Sequence, residues 1–115
     1  MILGIDYGQK YLGLAISAGE LAQPKGTLAI NQLTDLLAKI HAWEITRIVI
    51  GLSEGKMAEE TKVWGKKLEK MVQLPVVFCD ETLSSHEAGS DKDNHAKAAA
   101  VILQRYLDEN RNTNV

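Results

Sequence analysis

Apolar and polar positions repeat along this chain with two different periods, and the changes between them mark the elements. Ile2-Leu3-Gly4-Ile5 and Leu12-Gly13-Leu14-Ala15-Ile16 are short apolar runs on either side of Asp6 to Tyr11, and they read as two strands joined by a glycine-containing connection. Gly19 to Gly26, with Pro24 inside it, is turn-rich, and Thr27 to Ile30 makes a short third strand. Asn31 is a suitable N-cap for a helix in which Leu33, Leu36, Leu37 and Ile40 recur at helical spacing, ending near Trp43. The β-branched run Arg47-Ile48-Val49-Ile50 enters Gly51 and reads as a strand buried on both faces.

In the next segment Met57, Thr61, Trp64, Leu68, Met71 and Val72 form one stripe, with most of the charged residues off it, as in an amphipathic helix. Leu74-Pro75 stops that helix, and Val76 to Cys79 reads as a second fully buried strand ending at Asp80-Glu81. Ser84 to Asp93 is polar, with room for one helical turn around His86 to Ala88. The last helix is expected from about Asn94 to Asp108, with Ala96, Ala99, Ala100, Leu103, Tyr106 and Leu107 facing inward. Residues 1–109 then form a single domain, and 110–115 a polar, frayed tail. The order β-β-β-α-β-α-β-α combines an antiparallel meander with parallel β-α-β units. An α/β fold with a five-stranded mixed sheet (three antiparallel strands, then two parallel ones) flanked by helices satisfies both.

Length and composition agree with such a domain: 115 residues, 45% hydrophobic and 24% charged. The formal net charge of -2 gives no global basic field, so a nucleic-acid partner would have to meet a local basic patch. A lone cysteine, Cys79, reads as a buried inert thiol in a reducing compartment. Neither a charged-then-apolar leader nor a membrane-length apolar run is present, which makes the cytoplasm the expected location.

Candidate chemistry starts from Asp6. A carboxylate at the end of an apolar strand is costly to bury unless it is paired or bound to a cation. Gly8 beside it would let a phosphate or a metal approach the backbone closely, although a plain hairpin turn accounts for the same two residues. Functional groups gather at the carboxyl ends of parallel strands. Asp6 ends the first strand, Glu81 follows the fifth, and Asp91, Asp93 and His95 cluster at the start of the last helix. Carboxylate and imidazole groups carried to one sheet edge make a candidate site for Mg2+ or Mn2+, with phosphate oxygens completing the shell. Paired ions there would activate water and stabilise both the attacking and the leaving oxygen of phosphodiester cleavage. Plainer readings stand beside these: Asp80 and Glu81 as turn residues, Asp93 as an N-cap, His95 as an exposed helix-start histidine. His41 and His86 read as surface residues.

Four segments in order carry a family resemblance: Gly4 to Ser17 (GIDYGQKYLGLAIS), Ile48 to Leu52 (IVIGL), Asp80 to Ala88 (DETLSSHEA) and His95 to Leu107 (HAKAAAVILQRYL). They resemble the YqgF (RuvX) family, pre-16S rRNA nucleases related to Holliday-junction resolvases, with an RNase H-like fold. The likeness covers nearly the whole chain. It implies a divalent-metal-dependent endonuclease with Asp6, Glu81 and the position of His95 as catalytic and metal-binding groups, and with Gly8 and Lys10 against the substrate phosphates. The chain departs from the family pattern in four ways. His95 stands where the family usually has Asp, which tilts the preference from Mg2+ toward Mn2+ or leaves Asp91 or Asp93 to supply the carboxylate. Thr82 replaces an Arg, and Tyr11 a second basic residue. The loops after Leu52 and between Ala88 and His95 are shorter.

The resemblance thus implies processing of the end of precursor 16S ribosomal RNA by a cytoplasmic monomer or homodimer with no membrane partner. The alternatives are a resolvase of branched DNA, which would need a two-fold dimer, and a non-catalytic nucleic-acid-binding domain.

Overall fold

Eight elements follow one another in the expected order: β1 (Ile2–Tyr7), β2 (Tyr11–Ser17), β3 (Gln23–Ala29), α1 (Leu33–Ala42), β4 (Arg47–Leu52), α2 (Lys56–Val72), β5 (Val76–Asp80) and α3 (Lys92–Asn112). The computed structural model of the protein describes residues 1–52, 56–80 and 92–112. The strands form one sheet in the order β3-β2-β1-β4-β5. β1, β2 and β3 pair antiparallel, while β4 lies parallel to β1 and β5 parallel to β4. The mixed sheet read from the sequence is therefore the one observed.

Period-2 alternation sorts the side chains between two layers. Leu3 and Ile5 of β1, Leu12 and Leu14 of β2, and Ile48 and Ile50 of β4 pack on one face with Leu36, Ile40 and Leu68 of the helices α1 and α2. Each such side chain contributes about 1.5–3 kcal/mol by leaving water. The other face is lined by smaller residues, Ala15 and Val49, under Ala99, Ile102, Leu103, Tyr106 and Leu107 of α3. Small strand residues let this helix lie close to the sheet. A Cβ placed on Gly4 would come within 2.7 Å of Leu103 Cβ.

Several boundaries differ from the sequence reading. The third strand begins at Gln23 rather than Thr27 and contains Pro24 and Gly26. It is an edge strand, where a missing N–H is tolerated, and Gly26 takes a φ of 105° beside a register shift between Leu14 and Ala15. Asn31 does not cap α1. Gln32 occupies that position without a side-chain cap, and its Oε1 instead accepts from the Ala29 N–H at 2.9 Å. Gln73, at a φ of 56°, ends α2 ahead of Leu74-Pro75. Val76 to Cys79 are half-buried rather than fully buried, because β5 is the other edge of the sheet. Met71, assigned to the inward stripe of α2, is exposed. The last helix continues to Asn112, past the expected start of the tail, and Asn110 Nδ2 donates to the Tyr106 carbonyl at 2.8 Å. No helix among the described residues is long and apolar enough to cross a membrane.

Candidate active site

Asp6 lies at the carboxyl end of β1, on the face covered by α3. Its partners across the ladder are both glycines: Gly13 in β2 and Gly51 in β4. Two neighbours without side chains leave a trough around the carboxylate, and the first turns of α3 fill it. A Cβ on Gly13 would collide with the carbonyl group of His95. That close approach of backbone to backbone brings the imidazole to Asp6, with His95 Nδ1 2.9 Å from Asp6 Oδ2. Both side chains are largely withdrawn from water, 13% exposed for Asp6 and 19% for His95.

The pair is electrostatically specific. Burial raises the Asp6 carboxyl above its ordinary range, and the hydrogen bond and charge of His95 act against that rise. With Asp6 ionised, Nδ1–H donates to the carboxylate, and Nε2 keeps a lone pair for a proton or a cation. The Tyr11 ring stands beside the imidazole with centroids 6.3 Å apart. Gly8 N–H donates to the Tyr11 carbonyl at 3.0 Å and closes the hairpin. A Cβ there would lie 2.8 Å from that carbonyl oxygen and 3.1 Å from His95 Cε1. Gly8 thus closes the turn, as the plainer reading expects, and its missing side chain keeps the imidazole's approach open. Lys10 is exposed on the hairpin, and its carbonyl accepts from the Ile30 N–H at 2.8 Å.

The structure therefore brings Asp6, Gly8 and His95 together, with Lys10 on the adjoining hairpin. Glu81 and Asp91 lie outside the described residues, as does His86. Asp93 falls in the first turn of α3 rather than before it. His41 is exposed, as expected. Among the described residues no three His, Cys, Asp or Glu side chains converge as metal ligands. The two side chains that do converge are joined through Nδ1 and Oδ2, which leaves the imidazole Nε2 as the His95 atom chemically suited to a divalent ion.

A family model described as RuvX, Holliday junction resolvase, matches residues 1–109. The chain belongs to the RuvX family. Relatives named as pre-16S rRNA nucleases agree with this. That of Rickettsia africae is 33% identical, covering 96% of this chain and 88% of the relative. That of Caldanaerobacter subterraneus is 30% identical, covering 97% of this chain and 99% of the relative. The Rickettsia alignment runs over 135 positions, longer than this 115-residue chain, so that RuvX relative carries residues with no counterpart here. Among solved structures, RuvC of T. thermophilus in complex with a Holliday junction substrate superposes with a TM-score of 0.62 at 14% identity, covering 96% of this chain and 94% of that one. The RuvX chain and RuvC thus share an RNase H-like fold.

One grouping escaped the sequence reading. Trp64 belongs to the apolar stripe of α2 and Glu60 is one of its exposed charges, yet both meet Tyr7, whose hydroxyl donates to Glu60 Oε2 at 2.8 Å. Their i,i+4 spacing, which places both on one side of α2, was the available signal.

Proposed function

We propose that this chain is a divalent-metal-dependent endonuclease acting on structured nucleic acid, with the end of precursor 16S ribosomal RNA as its substrate and the cytoplasm as its place of action. The observation that carries the reading is the Asp6–His95 pair at the carboxyl edge of the sheet, in a chain of the RuvX family. Asp6 and His95 would hold Mg2+ or Mn2+ together with Glu81, which follows directly on β5. The odd positions of β5, Val77 and Cys79, pack on the same face as α3. When bound, such ions supply a water of lowered pKa and positive charge for the phosphoryl oxygens.

The chain's own residues do the rest. Gly4 and Gly13 let α3 rest close on the sheet and hold the Asp6–His95 pair largely out of water, where each charge acts more strongly. Gly8 leaves the hairpin backbone open to the substrate strand, and Lys10 meets a phosphate. The imidazole at position 95, in place of a carboxylate, favours Mn2+ over Mg2+.

The decisive comparison is Mn2+-dependent cleavage of a ribosomal-leader RNA by the wild type and by Asp6→Asn. Cleavage lost only in the variant supports the reading, and full activity in the variant sinks it. A second reading, cleavage of four-way DNA junctions, is motivated by the description of the family model itself. A four-way DNA junction assayed under the same conditions, with sedimentation to look for the two-fold dimer that paired cuts require, separates the two. Cleavage of neither substrate by the folded wild type would leave the non-catalytic binding domain.

A further inference from the structure

Tyr7 follows Asp6 in β1, so strand alternation turns its ring to the α2 side of the same sheet end. There it meets Trp64, with ring centroids 5.1 Å apart and planes tilted by 47°. Together with Glu59, Glu60, Val63 and Lys67, the two rings line an open recess of about 350 Å³. Val63 is 55% exposed, an aliphatic side chain at an aromatic recess. The metal chemistry uses none of these groups.

Size and lining both point to a small planar ligand. The volume falls at the lower end of the range for small-molecule sites, and aromatic side chains of this kind stack on any nucleobase. Glu59 and Glu60 outnumber Lys67 around the recess and disfavour phosphate, so of the parts of a nucleotide the base is the one that fits. Glu60 is anchored by the Tyr7 hydroxyl at 2.8 Å and keeps further acceptor positions. Guanine presents two adjacent N–H donors on its pairing edge, which suit a carboxylate, whereas adenine presents a donor beside an acceptor.

Building on the nuclease reading above, we infer that the Tyr7–Trp64 recess receives one unpaired base, guanine in preference to adenine, from the strand whose phosphate lies at Asp6. The strand crosses the end of the sheet, with phosphate on the α3 side and base on the α2 side. The substrate class follows: a nucleic acid that is open beside the cut, because a base inside a duplex is stacked and paired.

Trp64 provides the reporter. Trp43 is the only other tryptophan, so Trp43→Phe leaves Trp64 as the single tryptophan, excited selectively at wavelengths where tyrosine does not absorb. That variant is titrated, in chelator and therefore without cleavage, with five-nucleotide single-stranded RNAs carrying a central guanine, a central adenine or an abasic residue. The guanine strand is expected to quench Trp64 and to bind at least about fivefold more tightly than the abasic strand. Guanine is expected to lead adenine by roughly tenfold. Glu60→Gln, a change at an exposed position, should remove the guanine preference and leave the quench. Equal binding of the abasic strand, or an unchanged preference in Glu60→Gln, overturns the proposal. The two readings fail separately. An Asp6→Asn protein that still cleaves while the guanine quench persists removes the metal site and keeps the recess. Cleavage that depends on Asp6, with no difference between guanine and abasic strands, removes the recess alone.

Discussion

Asp6 is the residue on which the proposed chemistry turns, and its burial has a cost that can be measured. Its carboxyl is raised above the ordinary range, chiefly by burial and against the opposing effect of His95. A raised folded-state value means that the neutral form is the one the fold favours. The penalty for ionisation is therefore in force at neutral pH and is relieved as pH falls through the raised value. Asp6→Asn removes that penalty, so its Tm at pH 7 is expected to equal or exceed that of the wild type. The difference should shrink as the pH is lowered into the acidic range, and melts at a series of pH values check this. Metal-dependent cleavage by the same variant is expected to fall by roughly 100-fold or more, since in the proposed mechanism Asp6 would be both a ligand and the partner that orients His95. A variant that loses stability and activity together would mark Asp6 as a structural residue.

Gly13 shows how two elements are fitted to make a site. The start of α3 lies against β2 so closely that any side chain at this position would strike the His95 backbone. Helix and strand would have to separate, since neither backbone can give way locally. Gly13→Ala is expected to destabilise the protein by about 1–3 kcal/mol, read from the urea midpoint, and to carry the imidazole away from Asp6. Gly19→Ala is the contrasting test of backbone conformation alone. Its Cβ meets nothing within 4 Å, but its φ of 132° is one that alanine adopts only with strain. Gly19→Ala should lower stability without altering activity, whereas Gly13→Ala should lower both.

For the molecule as a whole, the sheet is held by a large-residue layer under α1 and α2 and a small-residue layer under α3. The second layer also carries the site, so losses there reach the chemistry. Leu103→Ala empties a fully buried position against Gly4 and is expected to cost about 2–5 kcal/mol, seen as a lower Tm. A cation held by the folded state alone would stabilise it by about 2.7 kcal/mol at a free ion concentration 100 times Kd. At equal concentrations Mn2+ should raise the Tm of the wild type more than Mg2+ does. His95→Asp should narrow that difference, and Asp6→Asn should abolish the response to either ion. Melting curves in the two metals test all three statements without a cleavage assay.

Most of the architecture was legible in the sequence because it depends on local periods. Short apolar runs gave β1, β2 and β4, helical spacing gave α1, α2 and α3, and the order of elements left one mixed sheet as the economical arrangement. Asp6 stood out for the same reason, as a charge interrupting an apolar run. What the sequence could not supply was which strands form the edges, and that misplaced the start of β3 and the burial of β5: edge position depends on pairing, not on composition. Nor could the motifs give the 2.9 Å separation of Asp6 and His95, residues 89 positions apart in the chain. That distance exists because Gly4 and Gly13 let a helix rest on the sheet backbone. The same long-range packing turned Trp64 and Glu60 from a stripe residue and a surface charge into neighbours of Tyr7. Side-chain period is a property of the segment, whereas contact between segments is decided only when the layers close.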